Sequence, residues 1–119
     1  MTYLHMLMAC QHQNIDEIMS MMDEETRVHI IRQDGSELKL SYHEISRWLE
    51  PIFEDNHTWD FDLIHKTERS DEDIIIVHAS REKEAGQETS ESLWIMTFTE
   101  EDGHHLLKRV YVEKLKSFD

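Results

Sequence analysis

The chain has 119 residues, with 26 Asp and Glu against 12 Lys and Arg and a formal charge of −14. That length suits one domain over residues 1–119, and the charge repels phosphate backbones and anionic lipid, so neither nucleic acid nor membrane is an expected partner. A single Cys excludes an internal disulfide, and no apolar run nears the roughly 20 residues needed to span a bilayer. Leu, Ile, Val and Phe make up about a quarter of the residues, above the level of about a fifth below which highly charged chains stay disordered. Residues 1–10 lack a basic stretch and a small-residue cleavage pattern, so a soluble cytoplasmic domain is expected.

Tyr3, Leu4, Leu7 and Met8 suggest the apolar stripe of a first helix. Asn14 opens a second helix, with Glu17 at the capping-box position and Ile15, Ile18, Met19 and Met22 on one face. Six of the seven Met lie in the first 22 residues, which reads most simply as a packing surface. A short strand from Val28 to Arg32, an Asp34-Gly35 turn and a second strand from Glu37 to Leu40 follow. Ser41 and Glu44 then cap a third helix whose apolar face is Ile45, Trp48, Leu49, Ile52 and Phe53. Pro51 predicts a kink or an early end there.

The second half reads as strands. Trp59, Phe61 and Leu63 alternate with Asp60, Asp62 and Ile64. Ile74–Val77 and Leu93–Phe98 are nearly continuous apolar runs, and Leu106–Leu115 centres on Val110, Tyr111 and Val112. Turns are expected at Ser70–Asp73, Ala85-Gly86 and Glu101-Asp102-Gly103. Strands that are apolar on both faces need cover on both sides, and three helices cover only one. A homodimer through the outer sheet face is therefore expected; strand propensity alone is the plainer explanation of the same residues.

The order of elements resembles the nuclear transport factor 2-like superfamily, also called the SnoaL-like or cystatin-like α+β cone. The residues that carry the likeness are Gln13-Asn14-Ile15-Asp16-Glu17-Ile18 at the second helix and Asp34-Gly35-Ser36-Glu37-Leu38 with Ser41-Tyr42-His43-Glu44-Ile45 around the third. Leu107-Lys108-Arg109-Val110-Tyr111-Val112-Glu113 resembles the closing strand. The pattern departs from the family in lacking its usual Gly before the third helix and in carrying Asn14 where Asp is common. The resemblance implies an α+β fold, a curved, mostly antiparallel sheet wrapped around three helices to form a cone with an internal pocket. It also implies frequent dimers, and it leaves function to be argued from the site.

In the ketosteroid isomerases of this superfamily an Asp base works with a Tyr and a protonated Asp. Alignment on the second helix puts Ile30 or His29 at the base, Met6 near the Tyr and Met96 near the acid, so that route is not expected. A lyase or isomerase using a pocket His has two candidates, His65 and His78, with Asp60 or Asp62 to orient one of them. Strict alternation from Trp59 turns His65 inward and both Asp outward. A His satisfied at the core edge or in an interface is the plainer reading of each.

No metal is expected: no H-E-x-x-H or paired C-x-x-C occurs, and the adjacent His104 and His105 would face opposite ways in a strand. Cys10 reads as a buried inert thiol, and with three Gly there is no phosphate loop, so no cofactor is expected. Asn56-His57-Thr58 matches a glycosylation sequon without a secretion signal. The acidic runs Asp23-Glu24-Glu25, Asp71-Glu72-Asp73 and Glu100-Glu101-Asp102 read as solvated turns. The favoured function is binding of a small hydrophobic ligand in an apolar pocket, with Trp48, Phe53, Trp59, Phe61, Trp94, Met96 and Phe98 as candidate lining. The cofactor-independent enzyme and a protein-interaction or oligomerisation module are the alternatives.

Overall fold

Two short helices open the chain, α1 (Thr2–Gln11) and α2 (Ile15–Ser20). The computed structural model describes residues 2–53, 58–82, 89–101 and 104–116. The expected Ala85-Gly86 and Asp102-Gly103 turns, Asn56-His57 of the sequon and the side chains of His104 and His105 lie outside them.

α1 buries Met6, Ala9 and Cys10, while Leu4 and Met8 are exposed. Of the expected stripe, Tyr3 and Leu7 pack against the core, whereas Leu4 and Met8 turn outward. The helix is apolar nearly all round, so periodicity could not pick the buried face. The N–H groups of Gln13 and Asn14 donate to the carbonyls of Cys10 and Ala9, and Gln13 takes φ 56°. That is a left-handed helix stop held by a residue other than Gly, at a cost of roughly 1–2 kcal/mol. Asn14 then caps α2, its side-chain oxygen accepting from the Glu17 N–H at 3.2 Å.

Met21, Met22 and the loop after them lead into β1 (Arg27–Ile31), which pairs with β2 (Glu37–Leu40) around Gly35 at φ 88°. The positive φ explains the Gly. The Ser41 N–H donates to the Glu44 carboxylate at 2.9 Å, the expected reciprocal half of the cap on α3 (Tyr42–Phe53). Pro51 lies inside α3, in the last turn that is described.

Four long strands complete the chain: β3 (Thr58–Glu68), β4 (Glu72–Glu82), β5 (Thr89–Glu101) and β6 (His104–Lys116). The mixed six-stranded sheet runs β2-β1-β6-β5-β4-β3 and is not closed. Only the β1–β6 pair is parallel among these pairings. The helices pack on one face, where Met6, Ile18, Ile45 and Leu49 meet Val28, Ile30, Val77, Met96 and Val110 in one buried core.

The loop after α2 is tied to β6 by a buried Thr. Thr26 has no exposed surface; its hydroxyl donates to the Leu107 carbonyl at 2.7 Å and accepts the Asp23 N–H at 3.0 Å. The Leu107 N–H donates to the Met21 carbonyl, and Lys108 Nζ donates to Asp23 at 2.9 Å. Asp23 therefore does more than the solvated turn expected of it. The Lys108 hydrogen bond holds its carboxyl below the ordinary Asp range. Because the folded pKa is the lower one, this stabilisation is present above the ordinary Asp pKa. It is lost as the pH falls through the folded value. Thr26→Val strands a buried carbonyl and N–H, so a loss of about 1–3 kcal/mol is expected in urea denaturation. A loss below about 0.5 kcal/mol, the scale of an ordinary surface change, would contradict the assigned role.

Candidate functional site

Cross-strand register arranges the helix-facing side of the sheet in rows. Val77, Trp94, Val112 and Ile30 form one row, and Ile75, Met96, Val110 and Val28 the next. These rows are apolar and buried. Towards the other end of the strands the same alternation brings Ala79, Ser92 and Lys114 together, then Trp59, Arg81 and Ser90. The inward face therefore changes from aliphatic to polar at the end of the cone where β4 ends and β5 begins.

Two cavities follow from this. An inner one of about 40 Å³ lies between the helices and the aliphatic rows and is lined by apolar side chains, including Met6, Cys10, Met22, Trp48, Trp94 and Met96. That exceeds the ~10–15 Å³ one water needs, but a space lined by apolar side chains alone stays dry. The second, of about 50 Å³, lies at the polar end and is lined by Trp48, Ile52, Trp59, Arg81, Ser90, Ser92, Trp94, Val112 and Lys114. Both are well below the ~300–1,000 Å³ of pockets that enclose a whole drug-sized ligand.

Aromatic packing builds the polar-end cleft. Trp59 lies edge-on to Phe53 at 5.6 Å, stacks on Phe61 at 5.6 Å and meets Trp94 at 6.0 Å. The Trp94 indole N–H donates to Ser92 Oγ at 2.9 Å. The Arg81 guanidinium sits 5.4 Å from the Trp59 ring and donates to the Ile52 carbonyl at the end of α3. Burial lowers the Arg81 pKa from its usual value, and a guanidinium starting that high stays charged at neutral pH. Trp59 Nε1 is buried with no hydrogen-bond partner among the described residues.

Residues 2–105 match the family model of the SnoaL-like domain. The chain belongs to the SnoaL-like domain family. With it comes membership of the nuclear transport factor 2-like superfamily, and solved structures agree on the fold. A protein described as a calcium/calmodulin-dependent protein kinase type II association domain, from Thiobacillus denitrificans, superposes with a TM-score of 0.74 at 12% identity, over 94% of this chain and 90% of that one. A cystatin-like-fold domain of unknown function from Nostoc punctiforme gives 0.71 at 15% identity, over 98% and 74%. A ketosteroid isomerase-like protein from Erwinia carotovora atroseptica gives 0.66 at 9% identity, over 97% and 92%. Identities this low speak for the fold alone. No curated protein matches the chain significantly.

At the positions equated with the ketosteroid isomerase set by alignment on the second helix, no Asp or Tyr stands. Met6 and Met96 line the apolar inner cavity, Ile30 is buried, and the His29 ring stacks on Tyr111 at 4.5 Å. Cys10 is buried, and desolvation pushes its thiol up to about 12, so it is protonated and inert at neutral pH.

The two His candidates lie on the face of the sheet turned away from the helices. His78 alternates with buried Val77 and Ala79, pairs across the ladder with Asp62, and contacts Glu91 at 3.0 Å. His65 contacts Thr67 at 2.8 Å. A bulge between Leu63 and His65 breaks the alternation, so His65 pairs with Ile76 rather than following Leu63 inward. That corrects the inward facing expected from parity. Asp60 and Asp62 do face outward as expected.

Of the expected lining residues, Trp48, Trp59 and Trp94 meet in the cleft, and Phe53 and Phe61 back it through ring contacts. Met96 belongs to the inner cavity, and Phe98 is buried beside the β3–β4 turn with Arg69 and Asp71. In that turn Glu72 pairs with Arg69 at 3.0 Å. Among the described residues no cluster of three or more His, Cys, Asp or Glu is placed to hold a metal. No described helix is long and apolar enough to cross a membrane. Arg81, Ser90, Ser92 and Lys114 were missed by sequence reasoning. Their signal is positional: each continues the inward alternation of an apolar strand beyond its last aliphatic residue.

Proposed function

We propose that this protein binds a small molecule at the open, polar end of the cone, with the inner cavity serving as core. The observation that carries the reading is that all three Trp of the chain line one cleft that also gathers Arg81, Lys114 and two Ser. Aromatic walls with a few convergent polar groups are the usual composition of a ligand site. The lyase or isomerase alternative is less favoured because, among the described residues, the lining of both cavities contains no His, Asp or Glu. We place the protein in the cytoplasm on the same reading.

A panel of single-ring compounds followed by saturation-transfer NMR tests the site. Hits are expected with the native protein and are expected to be lost in Ser90→Trp, which fills the cleft from its rim. Hits that survive Ser90→Trp, or no hit across the panel, would contradict the reading.

The same proposal includes a homodimer through the outer face of the sheet. Register sets His29, Tyr111, Ile95 and Ile76 in one row there, beside Ile74 and Leu93. Tyr111 is 39% exposed, and no acidic residue stands in that row. In a chain of charge −14, this row is the part of the face where two copies would meet with least repulsion, although Asp62, Glu91 and Glu113 flank it.

A further inference from the structure

We propose that the free edge of β3 is a docking site for an extended peptide segment of another protein, one in which apolar and basic residues alternate. The segment adds to the sheet as a further strand, with its apolar side chains against α1 and its basic side chains beside Asp60 and Asp62. This goes beyond the cleft reading and does not depend on it.

Sheet topology is the first argument. The open sheet has two edges, β2 and β3. β2 has four residues and carries the charged Glu37 and Lys39, and short charged edges resist further pairing. β3 has 11 residues, and among the described residues its only strand partner is β4. Its bulge lies between Leu63 and His65, so Thr58 to Leu63 stay in unbroken register. The backbone groups on the far side of such a strand are a template for another one.

Exposed apolar surface is the second argument. Six large apolar side chains stand exposed among the described residues, and four of them, Leu4, Met8, Leu63 and Ile64, belong to α1 and β3. These two elements touch, with Lys66 Nζ 4.9 Å from the Tyr3 ring. At about 100° per residue, Tyr3 and Leu7 form the flank of α1 between buried Met6 and Cys10 and exposed Leu4. Leu63 pairs with buried Val77 and so faces the helices, yet it is 46% exposed at the sheet edge. A strand laid against β3 would bury Leu63 beside that flank.

Charge alternation is the third argument. Asp60 and Asp62 take the outward positions between Trp59, Phe61 and Leu63. Both are exposed, and neither forms an ion pair with a described residue. Across the ladder they meet Ser80 and His78, and His78 is held by Glu91. Lys66 lies on the inward side, where it disfavours a basic neighbour. The strand that suits both faces is therefore apolar inside and basic outside. A second copy of β3 would bring further carboxylates to the outward face of a chain of charge −14, so a basic segment is favoured over another copy.

The hexapeptide Lys-Val-Lys-Val-Lys-Val, acetylated and amidated at its ends, tests this beside its isomer Lys-Lys-Lys-Val-Val-Val. The two share charge and composition and differ only in alternation. NMR titration of the native protein is expected to show the alternating peptide binding about tenfold or more tightly. Hydrogen exchange is expected to slow at amides between Asp60 and Lys66 and to stay unchanged in β2. Asp62→Asn is expected to weaken binding about threefold and to reduce its salt dependence. Leu63→Lys, at an exposed side chain, is expected to remove the preference for alternation, with Leu4→Lys on the exposed face of α1 as the second variant should Leu63→Lys lose structure.

Equal affinity for the two peptides would reduce the effect to general attraction by an acidic protein and overturn the proposal, as would binding of neither. Protection that appears at β2, or a preference that survives both Lys variants, would overturn the site. Concentration-dependent protection of β3 without peptide would make a second copy the occupant and overturn the basic segment.

Discussion

Trp94→Ala is expected to lower stability by about 3–5 kcal/mol, the cost of deleting a large buried aromatic side chain. Trp94 is 7% exposed, stands edge-on to Phe61 at 5.2 Å and to Trp59 at 6.0 Å, and forms a wall common to both cavities. Its removal should join the apolar inner cavity to the polar cleft. The variant should therefore gain affinity for a neutral apolar probe such as benzene, because most of the added space is walled by apolar side chains. Urea denaturation reads the first effect as a lower midpoint with an unchanged slope. A loss under about 1 kcal/mol would mean that the site collapses around the deletion, and the two cavities would then not be divided by this side chain alone.

In the proposed homodimer, Ile95→Glu is expected to give monomer, weakening association by about a hundredfold or more. Ile95 lies between Tyr111 and Ile76 on the outer face and is only half-buried in the single chain. A Glu there meets water in the monomer and costs little fold stability. In a dimer it would become an unpaired buried charge, a penalty of several kcal/mol. Sedimentation equilibrium checks both parts, with circular dichroism to confirm that the variant is folded. A native protein that sediments as a monomer would remove the dimer, and a variant that stays dimeric would move the interface elsewhere.

The elements most legible in the sequence were those set by local chemistry. Asn14, Ser41 with Glu44, and Asp34-Gly35 each fix backbone geometry through their own hydrogen bonds or φ, so α2, α3 and the β1–β2 hairpin stand where expected. The buried half of β4 was legible too, although a continuous Ile run does not say which residues face the helices. What stayed hidden depended on contacts distant in the chain. The facing of α1 follows from packing on β3 and α2, since its own composition is apolar on every side. The facing of His65 follows from a bulge that no Gly or Pro announces.

The candidate site was half legible. Its three Trp stood out by residue type, whereas Arg81 and Lys114 are ordinary surface residues until register brings their strand ends together. Met96 lines the inner cavity together with Trp48 and Trp94, and Phe98 lies beside the β3–β4 turn. Strand alternation points them to the same face, Met96 one row from the Trp94 row that borders the cleft and Phe98 further on.

Trp59 separates the two cavities as a reporter. Trp48 and Trp94 line both, whereas Trp59 lines only the polar cleft. The most direct measurement is therefore a two-dimensional 1H–15N NMR titration with the single-ring panel, following the three indole N–H signals. A ligand seated in the cleft is expected to shift the Trp59 signal saturably, with Ser90→Trp abolishing the shift. Movement of Trp48 and Trp94 with Trp59 unmoved, or saturable binding that moves none of the three, would contradict a binding site at the open end of the cone.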